Sequence, residues 1–141
     1  MVRLLPDASV TLTWCFEDEG MPWSDALLAK PRAGDEAMVP AHWPAEVADA
    51  LLIAVRRGRI SREKANRFFL DLLASPIRID PESSEIVFDQ VFKLAEQYRL
   101  TIYDAGYLEL PIREGLPLAT LDHELRKAAR ASRVPLVGPQ P

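Results

Sequence analysis

Leu4-Leu5-Pro6-Asp7-Ala8-Ser9-Val10-Thr11 is a short apolar run that halts at a proline and an aspartate and then turns into helix-compatible sequence. Two consecutive leucines read as a buried strand, and the run stops so that Asp7 stands at the strand's carboxyl end. A helix over residues 8–16 follows. The same alternation repeats downstream. A second helix is expected over 22–30, with Pro22 near its first turn, and Pro31-Arg32-Ala33-Gly34 breaks it. Ala37-Met38-Val39-Pro40 is the next strand. Pro44 suits the start of a helix over 43–57, where Val47, Leu51, Leu52 and Val55 recur at helical spacing until Gly58 ends the run.

Ser61 is a good N-cap for a helix running through Phe68, Leu72 and Leu73 to Pro76, although Lys64 does not complete a capping box. Ile77-Arg78-Ile79-Asp80 alternates as a short strand. Ser83 or Ser84 opens a long helix whose stripe is Val87, Val91, Leu94, Ala95 and Tyr98. A helix over 104–115, a strand over 118–120 and a helix over 122–133 come next, and Val134-Pro135-Leu136-Val137 closes the sheet. Short strands alternating with helices imply right-handed crossovers. The expected fold class is α/β, a three-layer α/β/α arrangement with a short-stranded, mainly parallel central sheet. One domain spans 1–137, with a frayed tail at 138–141.

A chain of 141 residues that is 48% hydrophobic is long enough for one complete core and short for two. Its formal net charge of −4 does not draw nucleic acid as a basic protein's field would, so any RNA contact must be local or metal-mediated. A single cysteine, Cys15, excludes an intramolecular disulfide and a cysteine-rich zinc site, and two separated histidines make no imidazole cluster. The apolar run after Met1 is too short for the core of a signal peptide, and no stretch approaches the ~20 apolar residues of a membrane span. A cytoplasmic protein without membrane contact is expected.

Four acids each sit where a strand ends or a helix begins: Asp7 in Pro-Asp-Ala-Ser-Val, Glu46 in Trp-Pro-Ala-Glu-Val-Ala-Asp-Ala-Leu, Asp104 in Tyr-Asp-Ala-Gly-Tyr-Leu-Glu-Leu, and Asp122 in Gly-Leu-Pro-Leu-Ala-Thr-Leu-Asp. Each alone has a plain structural account. Asp7 and Asp122 can cap the helices that follow them, and Glu46 and Asp104 can complement the positive end of a helix dipole. Gathered at one sheet edge, the four would destabilise one another unless a cation neutralised them. Carboxylate oxygens without nearby sulfur or imidazole select Mg²⁺ or Mn²⁺ over zinc. Such a site suits metal-assisted hydrolysis of a phosphodiester.

Taken in order, these strings resemble the PIN-domain nucleases, and among them the VapC-like toxin ribonucleases, over about residues 3–137. The resemblance implies an Mg²⁺-dependent endoribonuclease that leaves a 5′-phosphate and a 3′-hydroxyl. Asp7, Glu46, Asp104 and Asp122 take the family's four acidic positions as catalytic and metal-binding residues. Asp7 and Asp104 are expected as direct or water-mediated ligands, with Glu46 and Asp122 completing the site or orienting water. It further implies a homodimer and a small VapB-like antitoxin that blocks the acidic cleft, often with an arginine. Ser9 and Thr120 match hydroxyl positions seen beside the acids and either hydrogen-bond a carboxylate or the phosphate, or cap locally.

Two positions depart from the family pattern. Asp49 stands where relatives often carry Asn; it lies on the Glu46 face of the helix and either adds a fifth negative charge or points into solvent. Pro111 falls inside the helix that carries Asp104, where its ring clashes with the Tyr107 carbonyl, so the helix either kinks or ends early. Arg56, Arg57, Arg59 and Arg62, with Lys64 and Arg67 beyond them, concentrate positive charge at one turn, either to hold RNA phosphates or as a solvated helix end. A weaker basic patch runs along Arg126, Lys127, Arg130 and Arg133. Trp14, Trp23 and Trp43 read as core or dimer contacts, His123 as exposed, and His42 and Cys15 carry no assigned role.

Two other functions fit parts of the pattern. Asp7-Ala8-Ser9-Val10-Thr11 is similar to the aspartyl-phosphate motif of haloacid-dehalogenase-like phosphatases, but those enzymes usually have a second Asp where Ser9 stands. A non-catalytic PIN fold that binds RNA or a partner is the other alternative, against which four intact acids argue.

Overall fold

The computed structural model describes residues 3–16 and 34–137. Strands β1 (Arg3–Pro6), β2 (Glu36–Val39), β3 (Ile77–Ile79) and β4 (Leu118–Ala119) form one sheet in the order β3-β2-β1-β4, with every pairing parallel. The expected α/β class with a short-stranded parallel sheet is what the chain adopts. Leu4, Leu5, Ala37, Met38 and Val39 are all buried, which is why these strands show unbroken apolar runs: helices cover both faces of the sheet. β3 lies at the edge, and its Arg78 and Ile79 are exposed. Beyond β4 the expected fifth strand is reduced to one parallel bridge, Leu118 to Leu136, held by Leu118 N–H to the Pro135 carbonyl at 2.8 Å and Val137 N–H to the Leu118 carbonyl at 2.9 Å.

The chain enters the sheet at β1, builds outward to β2 and β3, and then crosses back to place β4 on β1's other side. The strand order therefore reverses at β1. Ligands of open parallel sheets bind beyond the strands' carboxyl ends at such a reversal. Asp7 is the first residue past β1.

Helix α1 (Ala8–Thr13) stops earlier than expected, Trp14 to Phe16 forming turns that bond back to Thr11 and Leu12. The expected helix over 22–30, Trp23, and the tail at 138–141 lie outside the described residues. Helix α2 (Trp43–Arg56) opens with Pro44 in its first turn, and Trp43 is buried with its indole N–H on Thr11 Oγ1 at 3.0 Å. Helix α3 (Arg62–Ala74) is capped by Ser61, which accepts from Lys64 N–H at 3.0 Å. The long helix begins at its cap Ser83 as α4 (Ser84–Ile86), widens into a π turn (Val87–Val91), and continues as α5 (Phe92–Tyr98) to Arg99 in the left-handed region.

Helix α6 (Ile102–Glu114) starts two residues before the expected Asp104, because the Thr101 hydroxyl accepts Asp104 N–H at 3.0 Å and caps it. It does not end at Pro111. Three more residues follow, and Gly115, at φ 67°, closes the helix with its N–H on the Pro111 carbonyl. The missing proline N–H would cost ~3 kcal/mol in an isolated helix. Here Tyr107, Leu108 and Leu110 are at most 1% exposed, and burying side chains of this kind contributes ~1.5–3 kcal/mol each, enough to hold the last turn. Helix α7 (His123–Ala131) follows its cap Asp122. Among the described residues no helix is long and apolar enough to cross a membrane.

Candidate active site

Asp7 is 5% exposed, and its carboxylate is held from three sides. Ser9 Oγ donates to Oδ1 at 2.5 Å, Val10 N–H donates to the same oxygen at 3.1 Å, and the Thr120 hydroxyl donates to Oδ2. A carboxylate offers about four acceptor positions, so Oδ2 keeps room for one further partner. Both hydroxyls also accept: Leu121 N–H donates to Ser9 Oγ and Asp122 N–H to Thr120 Oγ1, each at 3.0 Å. Ser9 and Thr120 thus serve the carboxylate and the loop after β4 together, and of the two only Thr120 also bonds the backbone of a near neighbour, Asp122 N–H. Asp7's own carbonyl accepts from Thr11 Oγ1 at 2.8 Å, the hydroxyl on which Trp43 rests, so α2 is tied to the end of β1.

The other three acids arrive from different elements. Glu46 lies in the first turn of α2, Asp104 in the first turn of α6, and Asp122 caps α7 by accepting Leu125 N–H at 3.0 Å. Their charges bear on one another. Burial raises the proton affinity of Asp7 most, its three hydrogen bonds lower it, and the charge of Asp122 raises it again. Glu46 is raised by burial, eased by a hydrogen bond from Tyr107, and raised further by Asp104 and Asp7. Asp104 is raised by burial and by Asp122, with Thr101 opposing. Asp7 and Asp122 each cap a helix, and the charge of Asp122 also bears on Asp7.

Asp49 is exposed, and the like charges acting on Glu46 are those of Asp104 and Asp7. The basic turn stands elsewhere. Ten residues of α2 separate Glu46 from Arg56, about 15 Å along the axis at 1.5 Å per residue. Arg56, Arg57, Arg59 and Arg62 are all exposed; Arg59 lies over the Phe16 ring at 3.8 Å and Arg62 donates to Asn66 Oδ1 at 2.5 Å.

Sequence reasoning missed the residues that hold Glu46. Tyr107, 1% exposed, donates its hydroxyl to Glu46 Oε2 at 3.3 Å, and burial beside that acid raises its own proton affinity. His42 Nε2 stands 3.5 Å from Glu46 Oε1, and its ring meets Tyr103 and Tyr107 edge-on at centroid distances of 5.5 and 4.8 Å. Burial lowers the proton affinity of His42, while a hydrogen bond to the Tyr103 backbone raises it. Gly106 makes room for this ring, since a Cβ there would stand 2.8 Å from His42 Cε1. The four-residue spacing of His42 and Glu46, one helical turn, was the available signal.

The donor set is oxygen throughout, and burial raises the proton affinity of Asp7, Glu46 and Asp104. A hard divalent cation suits that chemistry. Among the described residues no three carboxylate, histidine or cysteine side chains already stand at the spacing that holds an ion, so the fit is one of donor type and shared edge.

A family model described as the PIN domain matches residues 4–131. Among solved structures, the crystal structure of PAE2754 from Pyrobaculum aerophilum is similar over 90% of this chain and 86% of that one, with 26% identity and a TM-score of 0.69. No curated protein matches the chain.

Proposed function

Since the chain belongs to the PIN-domain family, whose members are generally nucleases, we propose that it is a metal-dependent endoribonuclease of the VapC-like toxin kind. What supports this reading is the charge that Asp122 places on Asp7 and Asp104 and that Asp104 and Asp7 place on Glu46, with Asp7 the first residue past the strand at which the sheet order reverses. Asp7, with a vacant position on Oδ2, and Asp104 would hold Mg²⁺ or Mn²⁺; Glu46 and Asp122 would complete the set. When bound, such an ion supplies a water of lowered pKa and shields charge on the phosphate. The chain's own part is to orient. Ser9 and Thr120 fix the plane of the Asp7 carboxylate, while Tyr107 holds one oxygen of Glu46.

Purified protein tests this directly. RNA should be cut with Mg²⁺ or Mn²⁺ and left intact with a chelator, and Asp7→Asn and Asp104→Asn should each abolish cutting while the protein stays folded. Metal-independent cutting, or cutting by both variants, would remove the acids from the mechanism. RNA bound but never cut would favour the non-catalytic alternative.

The toxin assignment adds a homodimer and a VapB-like antitoxin. An apolar groove of about 270 Å³ between α2 and α3, lined by Ala48, Leu52, Val55 and Phe69 among others, supports a helical partner, and Leu70 and Leu73 lie exposed on α3. The acidic site suits a partner's guanidinium. Expression alone should arrest growth, Asp7→Asn should lift the arrest, and a small co-encoded protein should co-purify. Growth without arrest and no stable partner would leave a nuclease that is not a toxin.

A further inference from the structure

Tyr103 stands one residue before Asp104 in the first turn of α6, and it is 60% exposed. A ring so open contributes little to the core, which leaves its placement to be explained. Phe88 and Phe92 are also open, but they lie on the π turn and α5, which carry none of the four acids. What distinguishes Tyr103 is its support. Its ring meets the His42 imidazole edge-on at 63°, and that imidazole also hydrogen-bonds the Tyr103 backbone and reaches within 3.5 Å of Glu46. The ring is therefore oriented by a side chain that touches the acidic site itself. Leu121, 46% exposed, immediately precedes Asp122, and Ser9 holds its N–H. Asp104 and Asp122 are thus each preceded by an open, largely apolar side chain.

Resting on the endoribonuclease reading above, we propose that Tyr103 is a substrate-positioning residue whose exposed ring stacks on a base flanking the scissile phosphate. A protein of net charge −4 gains no long-range attraction for RNA, so contacts that do not depend on charge add to whatever local cations supply at an acidic site. Base-on-ring stacking is such a contact. It tolerates any base, because every base has a π face, and its loss weakens binding roughly five- to hundredfold per base. His42 holds the ring still, so little freedom is lost when a base docks.

The test uses an oligoribonucleotide that spans a cleavage site mapped with the wild-type protein. Wild type, Tyr103→Phe and Tyr103→Leu are compared on the intact strand and on strands with an abasic residue on either side of the scissile bond. Tyr103→Phe keeps the ring and should cut within about twofold of wild type, whereas Tyr103→Leu should lose roughly tenfold or more in kcat/KM, mostly through KM. One of the two abasic strands should cost the wild type a similar factor and cost Tyr103→Leu nothing further. Wild-type efficiency in Tyr103→Leu overturns the proposal, as does a loss that simply multiplies with the abasic loss. In either case the nuclease reading stands. Absence of cutting by the wild type in Mg²⁺ and Mn²⁺ overturns both together.

Discussion

Tyr107 donates its hydroxyl to Glu46 Oε2 at 3.3 Å, joining the third residue after Asp104 to an acid 61 positions earlier in the chain. That bond opposes the burial that raises Glu46's proton affinity, to which Asp104 and Asp7 also contribute. Tyr107→Phe removes the opposition and leaves the ring in place. Glu46 then holds its proton to higher pH, and a protonated carboxyl is a poor ligand. The acid limb of the RNA-cleavage profile should therefore move to higher pH, with a stability loss of only ~0.5–1.5 kcal/mol. An unmoved limb would mean that Glu46 does not limit the reaction.

Asp7→Asn should raise the melting temperature of the metal-free protein near neutral pH. The folded state raises Asp7's proton affinity above the ordinary value of 3.8, so the folded protein binds that proton more tightly than the unfolded chain does. Asp7's favourable contribution is complete below the unfolded value and is lost as pH rises through the raised folded value. Wild type should accordingly lose stability across that window relative to Asp7→Asn. Mg²⁺ should raise the wild-type melting temperature and leave the variant's unchanged. Thermal melts at several pH values, with and without Mg²⁺, check this, and marked destabilisation by Asn would show that capping α1 outweighs the charge.

Arg113 clamps α6 to the end of β3, its Nη2 lying 2.6 Å from Asp80 Oδ2 and its Nε 2.7 Å from Glu109 Oε1. Both carboxylates are buried, and Glu82 beside them is raised first by burial and then by Glu109 and Asp80. Arg113→Met strands these charges and should cost ~3–5 kcal/mol in urea unfolding. Adding Glu109→Gln should return part of the loss. Strict additivity of the two substitutions would show that the pair is not coupled.

The arginine turn lies far enough from Glu46 to be tested separately from the chemistry. Because Arg59 rests on Phe16, the cleaner variant replaces Arg56, Arg57 and Arg62 with Gln. Each lost phosphate contact should flatten the salt dependence of RNA binding by ~0.7 in the log–log slope, so three should remove about 2. An unchanged affinity and slope would make the turn a solvated helix end.

Signals that act within one helical turn were legible in the chain. Ser61 and Asp122 cap their helices as their spacing indicated, Pro44 opens α2, and the unbroken leucine pair of β1 marks a strand covered on both faces. Each depends on backbone groups three or four residues away, which the local string specifies. That the ends of β1 and β4 share a side was readable too, because a parallel sheet delivers every strand end to the same side. Where one local signal competed with burial, burial prevailed: Pro111 does not end α6, and the core side chains around it carry the helix on to Glu114. The bond from Thr120 to Asp7 spans 113 residues, that from Tyr107 to Glu46 spans 61, and the Arg113 clamp on Asp80 spans 33. No string encodes those partners. The chain by itself determined the caps at Ser61 and Asp122 and the opening of α2 at Pro44, while only the packing of α6 and the β4 loop against β1 and α2 decided which donors meet Asp7 and Glu46, because a hydrogen bond is fixed by atoms within about 3 Å in space and not by their separation in sequence.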